Sequence, residues 1–470
     1  MNNKNKQKNK ALVAGTIIYA IGNFGTKFLS FLIVPLYTYY IAPADMGDYD
    51  LLCTTINLLT PLITMQISDA AYRWMISNDE NIVPCISATY KLIIVNCSIT
   101  AAVILGINLF IPIQYCYHFL AILILGRILG SMQKLLRGLK NQKLFAFSGI
   151  VYTAVFLFFN VLLICGLKQG VEALLWSMIF ANIAGIVLIL LCDKRMTQVD
   201  FKTNHSALRK EMLHYSMPLV PSTLNWWVMG ASNRYVIRFF IDNAANGIFA
   251  VANKFPSILS TIFLMFNNSW TDMSLADNDS KEDIIEYYSK VFKQLYVMSF
   301  TATLVMVPAT KIVTTIILSE SYKEASIYIA FLYLGAVFQA FSSFYGVGYL
   351  REKSTIGAAS TSIYGAVANV VVNVVFIKFI GLHATSVATF LGFYVMWVIR
   401  RKHMKDSLPI RIDWRIFNSL LLACVLICIV SIWSSMQVDL LLTAITGIVC
   451  LTANKSMFLK IANKLIKKFR

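Results

Sequence analysis

Acidic residues are scarce in this 470-residue chain, with 23 Asp and Glu against 41 Lys and Arg and a formal net charge of +18. None falls at mid-depth of a long apolar run; Asp48, Asp50, Asp69, Glu172, Asp242 and Asp272 all lie near run ends. That shortage argues against a carboxylate relay for protons or metal cations within a membrane. Histidine is also sparse, and the five, at 118, 205, 214, 383 and 403, sit at run ends or in connections. No GxxxxGK(S/T) loop, HExxH motif or GxSxG elbow occurs, which excludes an ATP-driven pump contained in this chain. The nine cysteines show neither CxxC nor Cys/His spacing and mostly lie in apolar runs. They read as small core residues, with no disulfide framework, metal site or cofactor implied.

What is abundant is apolar sequence. At 58% hydrophobic residues and a mean hydropathy of +0.66, the chain exceeds the roughly half-apolar composition of soluble domains. It reads as all-α and polytopic. The basic excess sits mainly in short segments between apolar runs, so it is an insertion signal and implies no nucleic-acid partner. Lys4, Lys6, Lys8 and Lys10 lead into the first run, and Ala42-Pro43-Ala44 resembles a signal-peptide cleavage site. That run is about twice the length of a signal h-region, so it is expected to be a retained span.

Runs of about 20 apolar residues predict 14 transmembrane helices, over 11–41, 46–68, 85–113, 117–138, 143–166, 170–192, 214–241, 246–270, 293–315, 323–346, 355–380, 383–400, 415–433 and 438–453. The even-numbered connections collect the basic residues, including Arg73, Lys134, Arg137, Lys194, Arg195 and the cluster Arg400, Arg401, Lys402 and Lys405. The odd ones hold few, chiefly Lys168, Lys311 and Lys323. This alternation places both termini in the cytoplasm. The organisation expected is an N-terminal lobe over 1–192, a cytoplasmic linker over 193–213, a C-terminal lobe over 214–400, and two extra spans with a basic tail over 401–470.

The two lobes echo one another. A shift of 200 positions brings Ile41, Ala44, Gly47, Tyr49 and Leu59 onto Ile241, Ala244, Gly247, Phe249 and Leu259. A second echo pairs the stretch from Asn160 to Ala173 with that from Asn369 to Ala384. With six spans in each half, the pattern favours a transporter built from a parallel duplication.

Cations inside the spans are the candidate site residues. In span 1, Asn23, Lys27 and Ser30 share one polar stripe, and in span 4 Arg127, Lys134 and Arg137 share a face. Arg73 closes span 2, Arg234 and Arg238 lie in span 7, and Lys254 lies about two turns into span 8. Those near an interface can snorkel, whereas Lys27, Arg127, Arg234 and Lys254 cannot easily reach water. Lacking obvious acidic partners, they suit a water-filled cavity that receives an anion such as a pyrophosphate. Pro61 and Pro256, each in the second helix of a half, are candidate gating hinges or static kinks.

The stretches IGNFGTKFLSFLIVPLYTYYIAPADMGDYDL and NRYVIRFFIDNAANGIFAVANKF, with the later segment from Ala368 to Ala384, resemble the bacterial O-antigen and capsular repeat-unit flippases. These belong to the multidrug/oligosaccharidyl-lipid/polysaccharide exporter superfamily. The resemblance spans all the predicted helices. It implies two six-helix lobes around a central cavity, two additional C-terminal helices, and an undecaprenyl-pyrophosphate-linked oligosaccharide moved to the outer leaflet of the inner membrane. It also implies that cavity cations map onto Lys27 and Lys254. Implied partners are membrane lipids and the polysaccharide polymerase and chain-length regulator of such pathways; ion-gradient or potential coupling is left open. One departure is Asn233, where an Asp often precedes the Arg-Tyr pair, and it puts a span 7 acid's role in coupling in doubt. A multidrug/cation antiporter of the same superfamily would call for mid-membrane carboxylates, and a polysaccharide polymerase for a large outer loop. Neither feature is found.

Overall fold

The computed structural model describes residues 31, 33–77, 82–200, 206–276, 281–352 and 355–455, and these are helical throughout apart from short connections. They divide into two compact units, Met1–Trp227 and Val228–Arg470. This division falls inside the predicted span 7, not in the 193–213 linker.

In the first unit the helices are α1 (Val34–Tyr40), α2 (Pro43–Thr64), α3 (Ile67–Ser77), α4 (Ile82–Phe110), α5 (Cys116–Gly138), α6 (Gln142–Val161, closed by a π-turn Leu162–Gly166), α7 (Val171–Cys192) and α8 (Ser206–Ser216). Helix α7 packs against α5 and α6, and α5 against α3 and α4, while α8 lies across α3 and α4. Their shared core includes Ile67, Met75, Cys85, Leu123, Leu135 and Ile189. Leu109 and Phe110 at the end of α4 are more than four-fifths exposed, as expected of a lipid-facing surface.

Helix α9 (Leu219–Ala231) leads into the second unit, which contains α10 (Asn233–Phe240), α11 (Asn243–Ala276), α12 (Lys281–Ile317), α13 (Ala325–Arg351), α14 (Thr355–Ile380), α15 (Leu382–His403), α16 (Trp414–Trp433) and α17 (Met436–Ala453). Helix α15 packs on both α13 and α14, and α11 packs on α13. The last two helices, α16 and α17, both pack on α12. Phe292, Phe300, Phe338, Phe341, Trp397 and Phe417 form a continuous aromatic core in this unit.

Eleven described helices are long and apolar enough to cross a bilayer, and the bent pair α2–α3 passes the same test when taken together, for 11 to 12 candidate spans. The shortfall from 14 has two sources. Predicted span 1 lies largely outside the described residues, with only α1 at its end in view. Predicted span 7 is divided into α8, α9 and α10 by turns at 217–218 and at Ser232. Hydropathy does not register these interruptions; Pro218 and Pro221 each remove a backbone donor there.

Span 2 is also broken. Helices α2 and α3 meet at 55°, with Met65 and Gln66 both in the left-handed region at φ 46° and 53°. The carbonyls freed at the break are recaptured: Asn96 Nδ2 donates to Ile63 O at 2.7 Å and Ser216 Oγ to Met65 O at 2.7 Å. Gln66 Nε2 donates to Thr223 Oγ1 at 3.0 Å. The bend therefore leaves these polar groups satisfied, as an interior away from water demands. Pro61 lies four residues before the break, whereas α11 runs through Pro256 without interruption.

The internal echo has a structural counterpart. Helix α1 ends at Tyr40 and α2 begins at Pro43, while α10 ends at Phe240 and α11 begins at Asn243, the same register after a shift of 200. Both turns are closed alike, Ile41 N–H donating to Tyr37 O at 2.9 Å and Ile241 N–H to Ile237 O at 2.8 Å. Gly170 and Gly381, which precede α7 and α15, share φ,ψ near 60°,−134° and 56°,−137°. Only glycine adopts that conformation cheaply, so each half uses the same residue for the same turn.

Candidate transport site

Of the first-unit candidates, Asn23, Lys27 and Ser30 lie outside the described residues. Arg127 is half-buried midway along α5. Its Nη1 donates to the Thr60 hydroxyl on α2, which in turn donates to Ile56 O at 2.7 Å. Its Nε is buried with no acceptor, and among the described residues no carboxylate pairs with it. An arginine that retains a desolvated donor still has hydrogen-bonding capacity to give.

The other cations on α5 are engaged. Lys134, nearer the interface than the four deep cations, pairs with Asp69 at 2.6 Å. The break after Gln66 explains it, because it starts a new helix at Ile67 and puts Asp69 in that helix's first turn beside α5. The Arg137 guanidinium lies 5.1 Å over the Tyr72 ring. Arg73 is exposed, with its guanidinium 4.7 Å from the centre of the Tyr215 ring on α8.

In the second unit, Lys254 lies on α11, half-buried, and among the described residues its ammonium has no hydrogen-bond or ion-pair partner. Arg234 is buried, donating to Gly230 O at 2.7 Å and lying 5.6 Å over the Phe249 ring. Arg238 is exposed in the last turn of α10. Asn233, where an acid was expected, belongs to a closed neutral network. It accepts from Asn373 Nδ2 at 2.9 Å and donates to Thr389 Oγ1 at 2.8 Å, while Thr385 Oγ1 donates to Asn373 Oδ1 at 3.0 Å. These four side chains join α10, α14 and α15 without any formal charge.

Two buried cations were misplaced by sequence reasoning. Lys311, assigned to an outer connection, lies within α12; its Nζ is 3.5 Å from the fully buried Asp439 and donates to Ser431 O, Ser434 O and Ser434 Oγ at 2.6–2.9 Å. Arg400, assigned to a solvent-facing basic cluster, is 4% exposed. Its guanidinium donates to Ser342 O at 2.9 Å, Ser362 Oγ at 3.1 Å and Thr361 Oγ1 at 3.2 Å. Glycine clears space for it, since a Cβ on Gly346 would lie 2.9 Å from Arg400 Nη1. A one-dimensional hydropathy scan carries neither signal, although a lone Asp near the start of an apolar run could have drawn attention to Asp439. In the connection after α7, hydrogen bonds from Arg195 hold the Asp193 carboxyl below its usual range, against a smaller upward push from burial.

Residues 12–271, more than half of the chain, match the family model described as polysaccharide biosynthesis protein. No curated protein matches the sequence. Among solved structures, the lipid II flippase MurJ in an inward-closed conformation aligns with a TM-score of 0.68 at 13% identity, covering 95% of this chain and 100% of that one. An inward-facing multidrug resistance transporter of the MATE family, MOP superfamily, aligns at 0.67 with 14% identity over 83% of this chain and 98% of its own. An outward-facing structure of such a transporter aligns at 0.60 with 14% identity, covering 83% and 95%. At these identities the likeness is one of fold. With spans, fold and family model in agreement, the chain is a multi-pass membrane protein with the fold shared by MurJ and MATE proteins, and it belongs to the polysaccharide biosynthesis protein family.

Proposed function

We propose that this protein is a flippase that carries an undecaprenyl-pyrophosphate-linked oligosaccharide repeat unit from the cytoplasmic to the outer leaflet of the bacterial inner membrane, by alternating access, for surface polysaccharide synthesis. The observation that carries the reading is the family match together with a fold whose similar structures include a lipid II flippase. Physics supplies the need: sugars and pyrophosphate cannot cross about 30 Å of hydrocarbon unaided, whereas the polyprenyl tail can stay in lipid. In this reading Lys27, Arg127 and Lys254 hold the pyrophosphate, Asn23 and Ser30 meet sugar hydroxyls, and Arg73, Arg234 and Arg238 extend the cationic path. Arg127 and Lys254 support it by retaining unused donors. The 14-span count, the cytoplasmic termini, the hinge roles of Pro61 and Pro256, and association with a polymerase and chain-length regulator belong to the same proposal.

A multidrug antiporter is the second reading, favoured by the MATE-like fold. Against it, every Asp and Glu in a described helix lies within about two turns of a helix end, and Asp69 and Asp439 are both paired to lysines. The test is a deletion strain whose polyprenyl-pyrophosphate lipids are quantified by mass spectrometry and assigned to a leaflet. A repeat-unit lipid accumulating on the inner leaflet is expected. Lys27→Ala, Arg127→Met and Lys254→Ala should each abolish surface polymer with normal membrane insertion. An unchanged lipid pool, or full display from these variants, refutes the flippase assignment.

A further inference from the structure

A second polar site lies in the second unit, and none of the transport candidates lines it. A cavity of about 170 Å³ is lined by Ile285 and Tyr288 of α12, Arg351 at the end of α13, and Asp406, Leu408 and Ile410 of the connection before α16. By the space one water needs, it has room for on the order of ten non-hydrogen atoms. Tyr288 is buried, and its hydroxyl accepts from Arg351 Nη1 at 2.9 Å, which holds the guanidinium at the cavity wall. Arg351 spends one further interaction on the Tyr288 ring, 5.8 Å from its centroid, and its remaining N–H groups have no partner among the described residues. Asp406 faces the same cavity with neither a hydrogen bond nor an ion pair among the described residues. One cation and one anion thus line a single pocket without neutralising each other. That arrangement is complementary to a compact zwitterion that brings an acceptor-rich anion to Arg351 and an N–H cation to Asp406.

Position in the fold selects the source of that zwitterion. The apolar span within α12 begins at Ile285, that of α13 ends at Tyr349, that of α15 ends at His403, and α16 begins at Trp414. The cavity therefore sits where four spans end, at the depth of lipid headgroups. The half-exposed Trp414, with Arg401 4.5 Å over its ring, is the kind of side chain that anchors a helix at that level. Leu408 and Ile410 give the pocket an apolar wall on which the first acyl carbons can lie. We infer that this cavity binds the headgroup of a primary-amine glycerophospholipid of the phosphatidylethanolamine type, with phosphate on Arg351 and ammonium on Asp406.

The experiment is native mass spectrometry of the full chain in detergent, titrated with phosphatidylethanolamine, phosphatidylglycerol or free phosphoethanolamine. Phosphatidylethanolamine should be retained at least tenfold more tightly than phosphatidylglycerol. Asp406→Asn, an exposed substitution without a packing role, should erase that preference, and Arg351→Ala should weaken both lipids by about tenfold. Arg351→Lys, which keeps the charge, should recover part of the loss and controls for misfolding. Equal retention of the two lipids, or an unaltered preference in Asp406→Asn, overturns the site. Free phosphoethanolamine binding as tightly as the lipid overturns the lipid as its occupant.

Discussion

The lysine–aspartate pair that joins α12 to the last hairpin gives a quantitative test of how this fold is held together. Asp439 is 1% exposed and Lys311 13%. Removing one partner of such a pair strands a charge in a low-dielectric interior, at a cost of about 3–5 kcal/mol. In Asp439→Ala, Lys311 keeps three neutral oxygens, from Ser431 and Ser434, so the expected cost lies toward the lower end of that range. Ser434 Oγ, which donates to Asp439 Oδ1 at 2.6 Å, loses its acceptor as well. On the scale of a soluble domain of similar size, about 3 kcal/mol lowers the melting temperature by roughly 6–12 °C. Replacing both charges, as in Lys311→Met with Asp439→Leu, should restore most of the loss, because apolar substitutes for a whole buried pair are often neutral or stabilising. The reporter is already in place: Cys424 and Cys428 on α16 are buried beside this joint, whereas Cys165 and Cys192 are exposed. With Cys85, Cys97 and Cys116, which are buried in the first unit, replaced by Ala in both parent and variants, a thiol-reactive fluorophore added in detergent should label Cys165 and Cys192 at once and Cys424 and Cys428 only on melting. A single variant that melts within a degree of the parent, or a double variant no better than the single, refutes the buried-pair reasoning.

Two further outcomes follow from the second unit. Gly392→Ala should cost about 1–3 kcal/mol, since its Cβ would lie 2.8 Å from Asn369 Cβ and 3.0 Å from Gly365 O; Gly447→Ala, with nothing within 4 Å, is the control in the same melt. Asn373→Leu should destabilise by about 1–3 kcal/mol for each buried group it strands, here Asn233 Oδ1 and the Thr385 hydroxyl. A melting profile equal to the parent's would show that water or a rearranged side chain replaces those bonds.

Legibility from sequence tracked the range of the interaction concerned. Spans were readable because hydropathy is local, and the duplicated hairpin because its turn residues recur, down to Tyr40 and Phe240 as the last residues of equivalent helices. The breaks were not, since Met65 and Gln66 carry no glycine or proline signal and their left-handed conformation is supported from afar by Asn96, Ser216 and Thr223. Lys311 and Arg400 were misplaced for a related reason. Depth was inferred from distance to the nearest polar segment, whereas their burial is decided by Asp439 and by Ser342, Thr361 and Ser362, all distant in the chain.

Accounting for each cation narrows the candidate site. Lys134 is neutralised by Asp69, Arg137 and Arg73 lie over tyrosine rings, and Arg234 is held by the Gly230 carbonyl and the Phe249 ring. Lys311 and Arg400 anchor helices to one another. Each of these has a structural reason to be where it is, so its presence in a span is weak evidence for a ligand. Among the candidates within the described residues, Arg127 keeps a buried Nε without an acceptor and Lys254 an ammonium without a partner, while Arg238 is exposed. For Arg127 the unpartnered Nε is buried, and a desolvated donor costs free energy that a stable fold would otherwise avoid. That cost singles out Arg127 as the first cation to substitute in testing the proposed anion site, with the half-buried Lys254 of the second unit as its companion.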